Sequence, residues 1–291
     1  MGVFSGLSIV ELIIVLAITI LPSILLFALI MYSDRKSKEP IPMILIAVLS
    51  GVFTICISLL IDKYILKSNF FSELFNTYKT LNLTRIAILA LVEEFAKLTA
   101  LYVFISHNKA YDDIYDGFVY SAVIALSFAL IETFLYVIRE DSYTAMSSLA
   151  LLRNFTTIPL HITCGIVMGY YVSISKFSRL KEKKFSLLLK GLLIPMLIHT
   201  TYNLFFSIIT DTQSTMMYNL LLISLFVLSI YLIGILYIVK INDLNKIFIN
   251  NRIYPKRFRF LMNKREYILK GLNKWNQTHI IKTSMKLIIK S

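Results

Sequence analysis

Charged residues are scarce in this sequence. Asp, Glu, Lys and Arg together make up 16% of its 291 residues, whereas hydrophobic residues make up 57%. An ordinary soluble domain contains about 25% charged residues. The composition therefore excludes a typical soluble globular protein and indicates a polytopic membrane protein.

Cysteine is almost absent. Cys56 and Cys164 are the two in the chain, and each lies inside an apolar run. Free cysteines in such surroundings behave as small buried residues. The sequence therefore predicts no disulfide framework, and its cysteine usage is uninformative about the redox compartment.

Seven apolar runs are long enough to cross a membrane, which takes about 20 residues in a helix. They cover residues 9–31, 41–61, 86–105, 117–138, 149–174, 185–209 and 216–239. The first is too long for a signal peptide and no cleavage-site pattern follows it, so we interpret it as a retained helix. Arg153 lies near an end of the fifth run, where a long side chain can reach the membrane surface. We predict an all-α fold, a polytopic membrane helix bundle of about seven transmembrane helices.

Positive charge is concentrated at the end of the chain. Residues 240–291 contain 13 of the 30 Lys and Arg residues but only 2 of the 17 Asp and Glu residues. Apolar residues recur at helical spacing between the basic ones, which favours an amphipathic helix on an anionic lipid surface over nucleic-acid binding. We therefore predict a transmembrane catalytic domain at 1–240, with core motifs at 86–209, and a basic cytoplasmic tail at 241–291.

The loops after the first and fifth runs are also basic, so the positive-inside rule places the N-terminus outside and the tail in the cytoplasm.

The third run carries three charged residues at membrane depth. Each unpaired charge at a helix centre costs roughly 2.5–3.5 kcal/mol. Lys97 follows Glu93 by four residues and Glu94 by three, and can share a face with both. We expect Glu93 to be the better placed partner of Lys97, with Glu94 about 100° away around the helix. One carboxylate is then expected to do chemistry and the other to hold the site together, and we favour Glu93 as the base.

Three other runs carry polar residues at membrane depth. Glu132 lies in the fourth run, His161 in the fifth, and His199 with Asn203 one helical turn apart in the sixth. Each of them alone also fits a hydrogen bond between packed helices. Gly165 and Gly169 follow His161 on one stripe of the fifth run, where they would let a neighbouring helix approach closely.

These residues are predicted to lie in the same half of the membrane. At 1.5 Å per residue, and with the predicted orientation, Glu93 and Glu132 lie roughly 10 Å and 9 Å below the outer surface. His199 and His161 lie roughly 15 Å and 18 Å below it. Unrelated packing residues would not share the outer half of the membrane in this way. We therefore predict one site on four helices.

The sequence lacks the short motifs of the common hydrolases. It contains no His-Glu-x-x-His, no Gly-x-Ser-x-Gly and no Gly-rich phosphate loop. Carboxylates, imidazoles and a carboxamide instead suit the activation of water, with Glu as general base and His and Asn at a developing oxyanion. The same groups can bind a divalent metal through His161, His199 and a Glu. The candidate catalytic residues are Glu93, Glu94, Lys97, Glu132, His161, His199 and Asn203.

Four short motifs on successive helices resemble those of the PrsW family of bacterial intramembrane proteases, a distant relative of the type II CAAX prenyl endopeptidases. The motifs are Glu93-Glu94-x-x-Lys97, Phe128-x-x-x-Glu132, His161-x-x-x-Gly165 and His199-x-x-x-Asn203. The resemblance covers the catalytic helices and leaves out the basic tail.

This resemblance implies a multi-pass protein of the bacterial cell membrane that makes the first, extracytoplasmic-side cut in a single-pass membrane substrate. The expected substrate is an anti-sigma factor, whose cleavage releases an extracytoplasmic-function sigma factor in a stress response. Glu93 and Glu94 would be required, with His161 and His199 as partners. Family members are often called metalloproteases, whereas the related CAAX enzymes look like metal-independent glutamate proteases. The expected cofactor is therefore one divalent metal such as zinc, or none.

Two other functions remain open on the residues alone. A proton- or cation-coupled transporter also uses Glu, His and Lys at membrane depth. It would be expected to show a repeated half-structure, and no repeat is visible. The third interpretation is a non-catalytic scaffold, in which Glu→Gln substitutions would disturb stability more than any activity.

Overall fold

The computed structural model describes residues 7–35, 38–66, 68, 81–178, 181–211 and 216–253. Every regular element in these ranges is a helix, which confirms the all-α fold class. The α-helices described are α1 Ile9–Ser33, α2 Ile41–Ile61, α3 Leu81–Ala100, α4 Tyr115–Val137, α5 Tyr143–Phe155, α6 Thr157–Phe177, α7 Lys181–Asp211 and α8 Met216–Ile253. α2 continues as a π-helix over Asp62–Leu66, and α3 does so over Leu101–Ile105.

The number of membrane spans agrees with the prediction of about seven. Six helical stretches of the described chain are long and apolar enough to cross a membrane: Ile9–Ser33, Ile41–Ile65, Tyr115–Val137, Tyr143–Phe177, Glu182–Ile209 and Met217–Ile249. Helix α3 with its π-helical continuation is a seventh candidate by length. It differs from the six in carrying Glu93, Glu94 and Lys97 near its middle.

Helix α4 packs against α6, α2 and α1. Small residues permit the approach on two sides. A Cβ atom on Gly165 of α6 would lie 2.7 Å from the carbonyl oxygen of Ser121, and one on Gly51 of α2 would lie 2.6 Å from Cβ of Ser127. The predicted role of the α6 glycine stripe is thereby confirmed. The close packing brings His161, one turn before Gly165, against α4.

The fifth predicted span, residues 149–174, is not one helix. The structure divides it at Thr156 into α5 and α6. In a continuous helix the ring of Pro159 would clash with the carbonyl of Phe155, and Pro159 has no N–H to donate to it. The Phe155 carbonyl instead accepts a hydrogen bond from the Tyr231 hydroxyl at 3.3 Å.

The last helix extends beyond its predicted end at residue 239, to Ile253. By its contacts the chain forms two compact units, Met1–Asp243 and Leu244–Ser291. In the second unit the structure describes residues 244–253, which are helical. The predicted amphipathic part of the tail, residues 254–291, lies outside the described residues.

Candidate active site

Helix α3 pairs one of its two adjacent carboxylates, that of Glu94, with two buried partners. Oε1 of Glu94 lies 2.8 Å from Nζ of Lys97 and 3.0 Å from Nδ1 of His199 on α7. All three side chains are buried. The expectation that Glu93 would be the better partner of Lys97 is therefore wrong: the ion pair is the one spaced by three residues.

The position of the Lys97 ammonium explains this choice. Nζ lies 2.9 Å from Nδ1 of His161 on α6 and 3.9 Å from the centre of the Phe128 ring on α4. These groups draw the side chain into the bundle, on the side of α3 where Glu94 lies. An ammonium donates and cannot accept, so it donates to both His161 and Glu94.

Glu132 on α4 contacts both His161 and Arg153. Its Oε2 lies 3.0 Å from Nε2 of His161 and 2.8 Å from a guanidinium nitrogen of Arg153. The Arg153 Nε also donates to the Thr133 hydroxyl at 3.3 Å. The sequence interpretation placed the Arg153 side chain at the membrane surface, whereas here it turns inward to Glu132. The signal that could have identified it was a carboxylate at membrane depth without a counter-charge on its own helix.

Several polar atoms make no hydrogen bond in this cluster: Glu94 Oε2 is one, and the other two face each other on Glu93 and His199. His199 uses Nδ1 for Glu94, and its Nε2 lies 3.8 Å from Oε2 of Glu93, beyond hydrogen-bond distance. Glu93 Oε2 is buried and has no hydrogen-bond partner among the described residues. A buried carboxylate oxygen without a partner is costly. This pair is therefore the place where a small polar reactant would be best bound.

A cavity of about 270 Å³ leads to this place. Its walls come from α2, α3 and α4, and both Glu93 and Glu132 belong to its lining. Charged residues that follow the ends of α2 and α4, among them Lys63 and Arg139, also line it. The open carboxylate is thus connected to a space that holds more than one water-sized group.

The donor set at this point fits a divalent metal ion. Glu93, His161 and His199 each offer one ligand atom, and these atoms lie within 4.8 Å of one another. Two imidazoles and a carboxylate occur together in catalytic zinc sites. Each His also has a carboxylate on a ring nitrogen, Glu132 for His161 and Glu94 for His199, as is usual for metal-ligating imidazoles. Since both nitrogens of His161 are engaged, a bound ion would take the place of Lys97 at Nδ1 if the Glu132 contact is kept.

Asn203 is the predicted site residue that is not in this network. It lies one turn beyond His199 on α7 and is half-buried. Within the part of the chain that the structure describes, its side chain makes no hydrogen bond to the other six. The predicted oxyanion role of Asn203 stays a prediction. The other six predicted residues lie together, as the depth argument expected, and Arg153 joins them.

Comparison with known proteins agrees with this geometry. The family model described as PrsW family intramembrane metalloprotease matches residues 39–232. Protease PrsW of Clostridioides difficile is 31% identical over 186 residues, which cover 64% of this chain and 76% of that protein. Protease PrsW of Oceanobacillus iheyensis is 30% identical over 190 residues, covering 65% and 81% of the two chains. Protease PrsW of Bacillus subtilis is 27% identical over 189 residues, covering 63% and 78%. No solved structure matches the chain.

The matched region, residues 39–232, contains all four helices that carry the buried Glu and His side chains. Six helical stretches long and apolar enough to cross a membrane, a buried cluster of carboxylates and imidazoles, and the family match lead to the same conclusion. The chain belongs to the PrsW family of intramembrane metalloproteases and is a multi-pass membrane peptidase.

Proposed function

We propose that this protein makes the first, extracytoplasmic-side cut in a single-pass membrane protein, with Glu93 as the general base. The observation that carries the proposal is the open carboxylate of Glu93, which lines the cavity and lies near His199. Glu93 Oε2 has no partner among the described residues and lies 3.8 Å from Nε2 of His199. A water molecule between the two would donate one proton to each.

In this proposal Glu94 acts through His199. The Glu94 carboxylate accepts the Nδ1 proton of His199, which leaves Nε2 as an acceptor that faces Glu93. The water oxygen attacks the carbonyl carbon of the scissile peptide while its proton passes to Glu93. The same proton then moves to the leaving nitrogen as the C–N bond breaks, which gives a carboxylate and an amine. Asn203 is the proposed donor to the oxyanion.

A divalent ion such as zinc, held by Glu93, His161 and His199, would lower the pKa of a bound water and polarise the scissile carbonyl. Glu132 would then hold the His161 ring and Glu94 the His199 ring by their other nitrogens. These two positioning roles are the same whether or not an ion is bound.

The proposed substrate is an anti-sigma factor, and the proposed result is release of an extracytoplasmic-function sigma factor in a stress response. Family membership and the predicted orientation, with the N-terminus outside and the tail in the cytoplasm, support a cut near the outer surface. We also propose that the basic tail binds anionic lipid on the cytoplasmic surface. Nucleic acid is not a proposed partner.

The test is cleavage of a tagged, single-pass anti-sigma-factor reporter by the full chain in membranes. Wild type should cut the reporter on its extracytoplasmic side. Glu93→Gln should abolish the cut and leave the midpoint of thermal unfolding almost unchanged, because Glu93 Oε2 makes no hydrogen bond among the described residues. Glu182→Gln, at an exposed position of α7, is the matched control and should cut like wild type. Cleavage that survives in Glu93→Gln would exclude Glu93 as the base.

A further inference from the structure

We propose that the cavity between α2, α3 and α4 is the subsite that binds one apolar residue of the substrate in an unwound segment, with the Ser58 hydroxyl bound to the substrate backbone. The inference rests on the proposed function, since it concerns the same site. It adds a substrate preference and a binding residue that none of the family motifs contains.

Part of the cavity wall is suited to an apolar side chain. Ile55 and Leu59 of α2, Leu89 of α3 and Leu135 of α4 form this part, beside the carboxylates of Glu93 and Glu132. The rest of the lining is Ser58, Asp62, Lys63, Tyr136 and Arg139. A charged or strongly polar side chain placed here would lose its hydration against aliphatic groups. An apolar side chain would gain from the same contacts and would place its own peptide bond beside Glu93.

Ser58 supplies a polar atom that the protein itself does not use. Its side chain is 3% exposed, and its Oγ has no hydrogen-bond partner among the described residues. Hydroxyls in these helices usually donate to a carbonyl of the preceding turn, as Thr54 Oγ1 does to Gly51 at 2.8 Å. Ser58 lines the cavity instead. A hydroxyl that is buried on a cavity wall without a partner is suited to bind a peptide N–H or C=O of an occupant.

The unpartnered hydroxyl of Ser58 indicates that the occupant is not helical where it lies against α2. An extended segment can insert one side chain and present free backbone groups to Ser58, whereas a helix has its backbone groups paired internally. The Ser58 hydroxyl therefore favours a substrate that unwinds at the cut.

The experiment uses the full chain in lipid vesicles and synthetic single-pass Ala–Leu peptides as the probe. Each peptide has a short Gly- and Ser-containing segment near its outer end, in which one position is Gly, Ala, Leu or Phe. Mass spectrometry locates the cut, and kcat and KM are measured for each peptide. Leu59→Trp reduces the cavity, and Leu60→Trp, one residue further on the exposed side of α2, is its matched control.

Wild type should prefer Leu or Phe at one position beside the cut. Leu59→Trp should lower kcat/KM for the Leu and Phe peptides at least tenfold relative to the Gly and Ala peptides, and Leu60→Trp should keep the wild-type preference. Ser58→Ala should raise KM about tenfold for all peptides with little change in kcat, as expected for loss of one hydrogen bond to the bound substrate. Ser50→Ala, at a buried position of α2 outside the cavity lining, should leave KM unchanged.

The result that overturns the inference is an unchanged preference in Leu59→Trp, or a KM in Ser58→Ala equal to that of wild type. A loss of kcat without a rise in KM in Ser58→Ala would likewise contradict a binding role. These outcomes differ from failure of the proposed function, in which wild type would cut none of the peptides or Glu93→Gln would cut them as well as wild type does.

Discussion

Glu132 and His161 form a contact that decides which ring nitrogen of His161 carries the proton. Glu132 Oε2 lies 3.0 Å from Nε2, and the donor-only ammonium of Lys97 lies 2.9 Å from Nδ1. The hydrogen-bond network therefore assigns the proton to Nε2 and the lone pair to Nδ1. His161 joins a carboxylate of α4 to an ammonium of α3, and the contacts on both sides of its ring hold these helices in register.

Arg153 should act through Glu132. Arg153→Gln removes the counter-charge of Glu132, and we expect kcat/KM to fall about 10- to 100-fold, as when a group that orients a site residue is lost. Arg153→Lys should restore part of this loss, because it keeps the charge. Thr133→Val keeps the ion pair and loses only the 3.3 Å contact with Arg153 Nε, so its effect should be a few-fold at most. Equal activities in all three variants would show that Arg153 does not position Glu132.

Glu94 and Glu93 should differ in their effect on stability. Glu94→Gln leaves the buried ammonium of Lys97 without its 2.8 Å partner, which should lower the free energy of unfolding by about 3–5 kcal/mol. The double variant Glu94→Gln/Lys97→Met removes both charges and should recover much of the stability but none of the activity. Thermal unfolding in detergent and reporter cleavage measure the two effects. A single variant as stable as wild type would contradict the assigned ion pair.

Lys97 and a metal ion should compete for His161. Lys97→Met frees Nδ1 of His161. We expect the variant protein to bind Zn²⁺ about tenfold more tightly than wild type, which corresponds to about 1.4 kcal/mol. Metal content after dialysis against a weak chelator measures the change without reference to activity. The double variant Lys97→Met/His161→Ala should lose the added zinc. If Lys97→Met retains no more zinc than wild type, the ammonium does not occupy a metal position.

Gly169 should be far less tolerant of substitution than Gly191. A Cβ atom at Gly169 of α6 would lie 2.7 Å from the carbonyl carbon of Gly117, whereas at Gly191 of α7 the nearest atom is Cβ of Tyr171 at 3.2 Å. Gly169→Ala should push α6 away from α4 and lower the free energy of unfolding by about 1–3 kcal/mol. It should also reduce cleavage, because His161 and Glu132 lie on these two helices. Gly191→Ala should be close to neutral in both measurements.

Asp34, just after α1, should make stability depend on pH. Burial raises the pKa of its carboxyl to about 6, and repulsion from Glu39 and Asp113 acts in the same direction. The backbone N–H of Glu39, which donates to Asp34 Oδ2 at 2.8 Å, opposes the shift only in part. The unfolded chain ionises near pH 4, so the contribution of Asp34 is fully present below that pH and is lost as the pH rises through 6.

Asp34→Asn keeps an acceptor for the Glu39 N–H and removes the ionisation. The difference in thermal stability between this variant and wild type should therefore increase between pH 4 and pH 6, in favour of the variant, and be constant above pH 7. A difference that does not depend on pH would show that the Asp34 carboxyl is not shifted in the folded protein.

Much of the fold and most of the candidate site could be predicted from the sequence. The length and apolarity of the runs determined the all-α membrane class, because a lipid bilayer requires each spanning segment to pair its backbone internally. Residues such as Glu93, Glu132 and His199 were identifiable because a polar side chain at membrane depth is costly and is kept only with partners. The helical stripe of Gly165 likewise predicted the close packing of α6.

The pairing of these residues was decided by tertiary structure alone. Spacing on α3 allowed Lys97 to bond to either carboxylate, and the choice of Glu94 depended on His161 and Phe128, which other helices supply. Arg153 became part of the site because α5, which carries it, packs against α4, which carries Glu132. A one-dimensional pattern records which face of a helix is polar, but the partner across the bundle depends on how neighbouring helices are rotated and tilted. Packing sets those angles. As a result, the Glu93 carboxylate lies at the cavity with one oxygen that accepts no hydrogen bond from the described residues.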